Sequence, residues 1–384
     1  MRPREYANAR RQESLNISTP LISSSSPLRS VHPTMAPVRN AQVIYTGIPE
    51  GFPEPGKTTV YDDSATIDLD NVELPPNSAL IKVLVLSIDP YMRGRMRDPS
   101  ISSYADAYIA GQPINSDGIG KVIRSTHPGL KTGDFVRAKL NHEEYTIRPV
   151  NELGESFFGV EVIQKHPRVP LSVYVGSGGM PGKTAHNAWR TFAKAKKGEI
   201  AFVSAGAGPV GSMVVQLAKQ DGLKVIASAG SDEKVAFIKE IGADVAFNYK
   251  TTSTKEVLDK EGPVNVYWDN VGGETLDAAF GNAATYARFI ECGMISGYNS
   301  NEGTLFKNIG NIVSQRFSVN GFIQWEIEAP WREDFEKTVI AGLADGTFKY
   351  KEDIVRGLDQ SGEAILAVQR GTNKGKMVVV VADD

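Results

Sequence analysis

Ile200-Ala201-Phe202-Val203-Ser204-Ala205-Gly206-Ala207-Gly208-Pro209-Val210-Gly211 is the stretch whose reading decides the fold. The apolar run at 200–203 reads as a buried strand. Met213, Val214, Leu217 and Ala218 then recur at helical spacing. Between them Gly206, Gly208 and Gly211 form a G-x-G-x-x-G, in the strand-to-helix setting that gives this motif its force. Gly206 is expected to allow the tight turn, Gly208 to let backbone approach a pyrophosphate, and Gly211 to let the helix pack closely on the sheet. The phosphates would lie at the helix N-terminus, beside Pro209 and Val210, where free N–H groups and the helix dipole favour negative charge.

A second strand at 223–227 leads into Ser228-Ala229-Gly230-Ser231-Asp232-Glu233-Lys234. A site for NAD wants an acid about 20 residues past the fingerprint, bonded to the ribose 2′-hydroxyl. Here the strand tip is Ala229-Gly230, and Lys234 follows one helical turn later, placed to meet a 2′-phosphate. The expected cofactor is therefore NADPH/NADP+. The competing reading is an unrelated glycine-rich turn, which the ordered strand, helix, second strand and lysine weigh against.

A chain of 384 residues is long enough for two domains with separate cores. Hydrophobic content of 41%, charged content of 23% and a net charge of −3 describe an ordinary globular protein, with no basic cluster for a nucleic acid. No apolar run reaches the roughly 20 residues that span a bilayer. Cys292 is the one cysteine, which excludes an intramolecular disulfide and fits a reducing compartment. Thiolate-rich metal sites are excluded with it, and the five histidines show no H-x-x-x-H or H-E-x-x-H spacing. No metal is expected.

Residues 1–34 are Arg-rich (Arg2, Arg4, Arg10, Arg11, Arg29) and Ser-rich, with only Glu5 and Glu13 as acids. This is the composition of a mitochondrial transit peptide; the alternative is a disordered leader before a start at Met35. Residues 1–38 are accordingly set apart as an extension or leader, and the protein is expected in the cytoplasm, or in mitochondria if the leader is a transit peptide. From 39 to 165 the chain is strand-rich and punctuated by Gly and Pro, as in a barrel-like, mostly antiparallel β domain. From 166 to 328 strands and helices alternate, which means a doubly wound parallel sheet. Strands are expected at 244–248, 265–269, 288–294 and 318–323. Helices at 332–344 and 361–370 and a strand at 376–381 follow, and residues 329–384 are expected to return to the first domain. The fold class is α/β, a Rossmann-type sheet plus the β domain.

Eight motifs occur in order along the chain: Ser87-Ile88-Asp89-Pro90-Tyr91-Met92-Arg93-Gly94-Arg95-Met96, Gly178–Ala185, Ala205–Gly211, Gly230–Val235, Phe247-Asn248-Tyr249-Lys250, Asp269-Asn270-Val271-Gly272-Gly273, Cys292–Asn299 and Asn373-Lys374-Gly375-Lys376. In these the chain, from about 40 to 384, resembles the zinc-independent medium-chain dehydrogenases/reductases. Within that family it is most similar to the prostaglandin reductases, leukotriene hydroxydehydrogenases and plant alkenal double-bond reductases. Zinc-containing relatives carry Gly-His-Glu where this chain has Asn115-Ser116-Asp117.

The resemblance implies a homodimer, joined through an edge strand within 317–323, and reduction of the carbon–carbon double bond of α,β-unsaturated aldehydes or ketones. It implies Lys234 and Tyr249 on the 2′-phosphate, although Tyr249 also reads as an ordinary strand-end aromatic. It implies cofactor contacts at Asn270, Cys292, Gly293, Ile295, Phe322 and Asn373; both asparagines also read as turn residues. Tyr298 is implied beside the nicotinamide ribose and the substrate carbonyl. Hydride arriving at the β-carbon of an enone leaves charge on the carbonyl oxygen, and a positioned O–H stabilises it. A packing tyrosine is the alternative. Tyr91 is a substrate-pocket residue or a core one. Cys292 reads as a small buried residue rather than a nucleophile. Quinone reduction or oxidation of a hydroxylated lipid keeps the enzyme class, whereas a regulatory or vestigial nucleotide site would make the protein a binding module. NADPH turnover separates the two classes.

Overall fold

The computed structural model describes residues 36–151, 153, 159–300 and 302–384. The expected leader therefore lies almost wholly outside the described residues. Residues 37–384 form one compact unit containing two large sheets.

The first is a six-stranded, all-parallel sheet. Its spatial order is Val245–Asn248, Lys224–Ala229, Ile200–Val203, Val264–Asp269, Ala283–Glu291, Ser318–Gly321. Numbered along the chain this is 3-2-1-4-5-6, the order of a dinucleotide-binding sheet, with the reversal beside Ile200–Val203. That strand is enclosed on both faces, which explains its unbroken apolar run. The helix Pro209–Gln220 buries Met213, Val214, Leu217 and Ala218, the residues of the expected stripe. One strand differs from expectation. It runs Ala283–Glu291 rather than 288–294, because the Cys292 and Gly293 N–H groups both turn to the Asp269 carbonyl, at 3.0 and 3.1 Å.

The second sheet is mostly antiparallel: Glu352–Arg356, Lys376–Val380, Ser78–Ser87, Asn115–Ser125, Phe135–Asn141 and Val160–Val162, with Tyr145–Pro149 also on Ser78–Ser87. Only the pairing of Glu352–Arg356 with Lys376–Val380 is parallel. The C-terminal strand thus does return to the strand-rich half, antiparallel to Ser78–Ser87. One apolar cluster joins the halves, holding Leu84 and Ile119 of this sheet together with Val203, Met213 and Trp268. The two sheets are therefore fixed to each other by a shared core. Among the described residues no helix is long and apolar enough to cross a membrane.

Candidate active site

The glycine-rich turn leaves the sheet at the topological switch point. Gly206 N–H donates to the Ser228 carbonyl at 2.8 Å, tying the turn to the neighbouring strand. The left-handed residue is Ala205, at φ 48°, rather than Gly206. Gly206 is needed for approach, since a Cβ there would lie 3.0 Å from the Ala227 Cβ. A Cβ on Gly211 would come 2.4 Å from the Ala205 carbonyl oxygen, so the helix can sit on the turn only without one. Gly208 is different. Its backbone is extended at φ −73°, and an added Cβ would meet only the Ala205 oxygen at an ordinary 3.5 Å. Neither strain nor packing demands glycine there, which leaves an open face that a ligand could approach. No side chain caps this helix end, and Pro209 removes one donor that would have been orphaned anyway. These residues fit a pyrophosphate.

At the next strand tip, the Ser231 hydroxyl caps the helix Asp232–Glu240 by accepting from Lys234 N–H. Tyr249 is half exposed and lies over Gly230, its hydroxyl 3.0 Å from where a Cβ would be. Lys234 Nζ donates to the Gly371 carbonyl at 2.6 Å. Burial and then the nearby Lys250 lower its pKa from the usual lysine value. The local acids face elsewhere: Asp232 accepts from Asn248 at 2.9 Å, and Glu233 pairs with Lys374 at 2.8 Å. Lys234 and Lys250 thus stand near a phenol, and among the described residues neither is ion-paired. That charge arrangement suits a phosphate and repels nothing anionic.

Asp269 organises the loops on the far side of the switch point. Fully buried at its strand terminus, it accepts from the Tyr267 hydroxyl at 2.7 Å and from Val271 and Gly272 N–H at 2.8 and 2.9 Å. The Asn270 amide donates to the Ser204 carbonyl at 2.6 Å and accepts from the Trp268 indole at 3.1 Å. Ile295 N–H reaches the Asn270 carbonyl at 3.3 Å, so the loops after two adjacent strands are laced together. Tyr298 then folds back over Gly293. Its hydroxyl accepts the Met294 N–H at 3.3 Å and, among the described residues, donates to nothing. Burial, then Tyr104 and Cys292, push its pKa up to about 12, so the phenol keeps its proton at neutral pH. Cys292 is likewise pushed up to about 12 by burial, beside Asp269 and Glu291, and is no thiolate nucleophile.

On the other sheet's side, the Tyr91 hydroxyl is buried without a partner among the described residues and held well above its ordinary pKa by burial. Its loop is tied to that of Tyr298. Arg93 donates to Asn299 at 3.0 Å, Asn299 to Gln369 at 3.0 Å, and Gln369 to the Pro90 carbonyl at 3.0 Å. Three expected residues spend their side chains inside the protein. Asn270 holds Ser204, Asn373 donates to the Gly375 carbonyl at 2.8 Å, and Phe322 packs on Trp268 and Phe192 with centroids 6.0 and 5.8 Å apart. Sequence reasoning missed Asp269 as the loop organiser, and the buried Lys376–Asp89 pair at 2.9 Å, because the partners are distant in the chain. It also missed Tyr104, which reaches across to Trp325 at 6.0 Å.

Comparison with known proteins agrees with this geometry. Residues 209–344 match the family model described as zinc-binding dehydrogenase, and residues 43–155 that of the N-terminal domain of oxidoreductase. The chain is 37% identical over 351 residues to the 2-alkenal reductase (NADP(+)-dependent) of Nicotiana tabacum, covering 90% of this chain and 98% of that one. The chain belongs to the zinc-independent medium-chain dehydrogenases/reductases, in the branch of alkenal and prostaglandin reductases. Prostaglandin reductase 1 of Rattus norvegicus is 33% identical, covering 86% of this chain and 95% of its own. The structure of CurA from Vibrio vulnificus, in complex with NADPH, superposes with a TM-score of 0.79 at 30% identity, over 90% of this medium-chain reductase and 100% of CurA. Among the described residues of the reductase no group of three His, Cys, Asp or Glu is placed to hold a metal ion.

Proposed function

We propose that the protein uses NADPH to reduce the carbon–carbon double bond of α,β-unsaturated aldehydes and ketones. The observation that carries this reading is the Tyr298 hydroxyl, held over Gly293 at the carboxyl edge of the dinucleotide sheet, with its proton undonated among the described residues. The glycine-rich turn and the uncapped helix would hold the pyrophosphate, and Lys234 with Tyr249 the 2′-phosphate. When bound, the reduced nicotinamide supplies a hydride. Tyr298 donates a hydrogen bond to the substrate carbonyl, where charge develops as the hydride reaches the β-carbon. Oxidation of an alcohol without metal would require a group that takes a proton near neutral pH. A phenol with its pKa near 12 is instead a donor, which favours reduction.

The test is NADPH consumption by purified protein against a panel of enals, enones and quinones, with saturated products identified and the reverse direction run on hydroxylated lipids. Saturated aldehydes or ketones are expected. Turnover of quinones alone, or of alcohols with NADP+, would replace this reading, and NADPH binding without any turnover would leave a nucleotide-binding module.

A further inference from the structure

An aromatic pair bridges the two halves of the protein. Tyr104 belongs to the loop after the short helix Met92–Arg95, and Trp325 to the turn Gln324–Glu326 that follows the edge strand Ser318–Gly321. Their ring centroids lie 6.0 Å apart, with the planes inclined at 43°. That spacing is within the range of attractive aromatic pairs, yet Tyr104 stays half exposed. Both rings are braced from behind. Arg97 donates to the Ala105 carbonyl at 2.6 Å and Arg95 to the Asp106 carbonyl at 2.9 Å, fixing the backbone just after Tyr104. Arg95 is itself buried against Asn115, at 2.7 Å to the carbonyl and 2.8 Å to the side-chain oxygen. On the opposite side Gln324 donates to Glu328 at 2.7 Å, and Glu328 accepts from Lys183 at 2.8 Å.

Two connections bring this pair to Tyr298. Glu291 is in register with Gly321 at the ends of adjacent parallel strands, so the segments leading to Tyr298 and to Trp325 leave the sheet side by side. Arg93, on the same helical turn as Arg95, donates to Asn299 at 3.0 Å, directly after Tyr298. One short helix therefore holds both the Tyr104 loop and the Tyr298 loop. The electrostatics agree, since Tyr104 is among the groups that raise the Tyr298 pKa, after burial. Met294, whose N–H meets the Tyr298 hydroxyl, also leaves much of its side chain exposed. Apolar and aromatic surface thus stands open beside the one phenol proposed to act on substrate, as in the lining of a ligand site.

We propose that Tyr104 and Trp325 determine substrate specificity, forming a wall that favours flat, aryl-conjugated enals and enones over short aliphatic ones. This rests on the enone-reduction reading. An aryl group conjugated to the double bond lies in the plane of the enone and extends rigidly from it. Such a surface stacks on the two rings with little further loss of rotational freedom, whereas an alkyl chain covers them less and loses more. The role is selection, and no bond is made or broken at either ring.

The test compares kcat/KM for 3-phenylpropenal and 2-pentenal with NADPH, in wild type, Tyr104→Leu, Tyr104→Phe and Trp325→Leu. Wild type is expected to prefer 3-phenylpropenal. The ratio of the two values should fall about 3–10-fold in Tyr104→Leu and in Trp325→Leu, the scale of one aromatic contact, while Tyr104→Phe keeps the ring and the ratio. Tyr104 is half exposed, so its variants carry the test even where Trp325→Leu fails to fold. An unchanged ratio in Tyr104→Leu overturns the proposal, as does a wild-type preference for 2-pentenal. An equal loss on both substrates does so too, because it marks a brace between the two halves rather than a wall. Wild-type protein that reduces neither enal overturns the enone reading and the wall with it.

Discussion

The Tyr298 hydroxyl lies 3.0 Å from the point where a Cβ on Gly293 would sit, so the phenol is seated on bare backbone. Tyr298→Phe removes the donor and leaves the ring. The expected result is a fall in kcat of about 10²–10³-fold, typical of losing one oxyanion donor, with unchanged NADPH affinity. Gly293→Ala should push the ring by a few tenths of an ångström and give a smaller loss of the same kind. Steady-state kinetics together with NADPH titration separate the two effects, and full activity in Tyr298→Phe removes the residue from the chemistry.

Gly208 and Gly211 belong to one motif yet should fail differently. A Cβ on Gly211 meets the Ala205 oxygen at 2.4 Å, so Gly211→Ala should cost about 1–3 kcal/mol of stability as an overpacked site. Gly208→Ala meets only an ordinary contact and should stay within about 0.5 kcal/mol of wild type. It should nevertheless weaken NADPH by at least about tenfold, or 1.4 kcal/mol, because the methyl enters the space of the phosphates. Denaturant melts and NADPH titrations on both variants check the contrast.

Cofactor preference should rest on Lys234 and Tyr249. Hydrogen bonds to a charged group contribute about 1.5–3 kcal/mol, so Lys234→Ala should weaken NADPH roughly 10–100-fold and NADH hardly at all. Tyr249→Phe should act in the same direction, more weakly. Equal losses for both nucleotides would mean that Lys234 serves the fold, through Gly371, rather than the 2′-phosphate.

The Asp117 carboxyl has a consequence for stability. Burial lifts its folded pKa to about 6, above the ordinary aspartate value of 3.8, so the folded state binds the proton more tightly than the unfolded state. Its contribution is then most favourable below about pH 4, declines as pH rises to about 6, and stays reduced above that. Asp117→Asn removes the penalty, so this variant should melt higher than wild type above pH 6 and lose its advantage towards pH 4. Thermal melts across that window are the measurement, and a pH-independent difference refutes the assignment.

The buried Lys376–Asp89 pair fastens the C-terminal strand to the Tyr91 loop, with Lys376 also donating to the Ile88 carbonyl at 2.6 Å. Lys376→Met leaves a buried carboxylate unpaired and should cost about 3–5 kcal/mol. Replacing Asp89 with Asn in the same chain should recover part of it, read as the denaturant midpoint.

What could be read from the chain alone was local and periodic. The buried strand Ile200–Val203, the apolar stripe of Pro209–Gln220, the three glycines and the acid-free tip before Lys234 all express short-range rules of backbone freedom and burial, and they announced the dinucleotide sheet. The extent of Ala283–Glu291 was misjudged because its end depends on Asp269, which belongs to another strand. Why the turn needs glycine at 206 is likewise a tertiary matter, since Gly206 answers to Ala227 across the sheet. Only the tertiary structure seated Tyr298 on Gly293 and joined the Tyr91 loop to Asn299 through Gln369. Those relationships join residues up to 279 positions apart, and no local pattern encodes them.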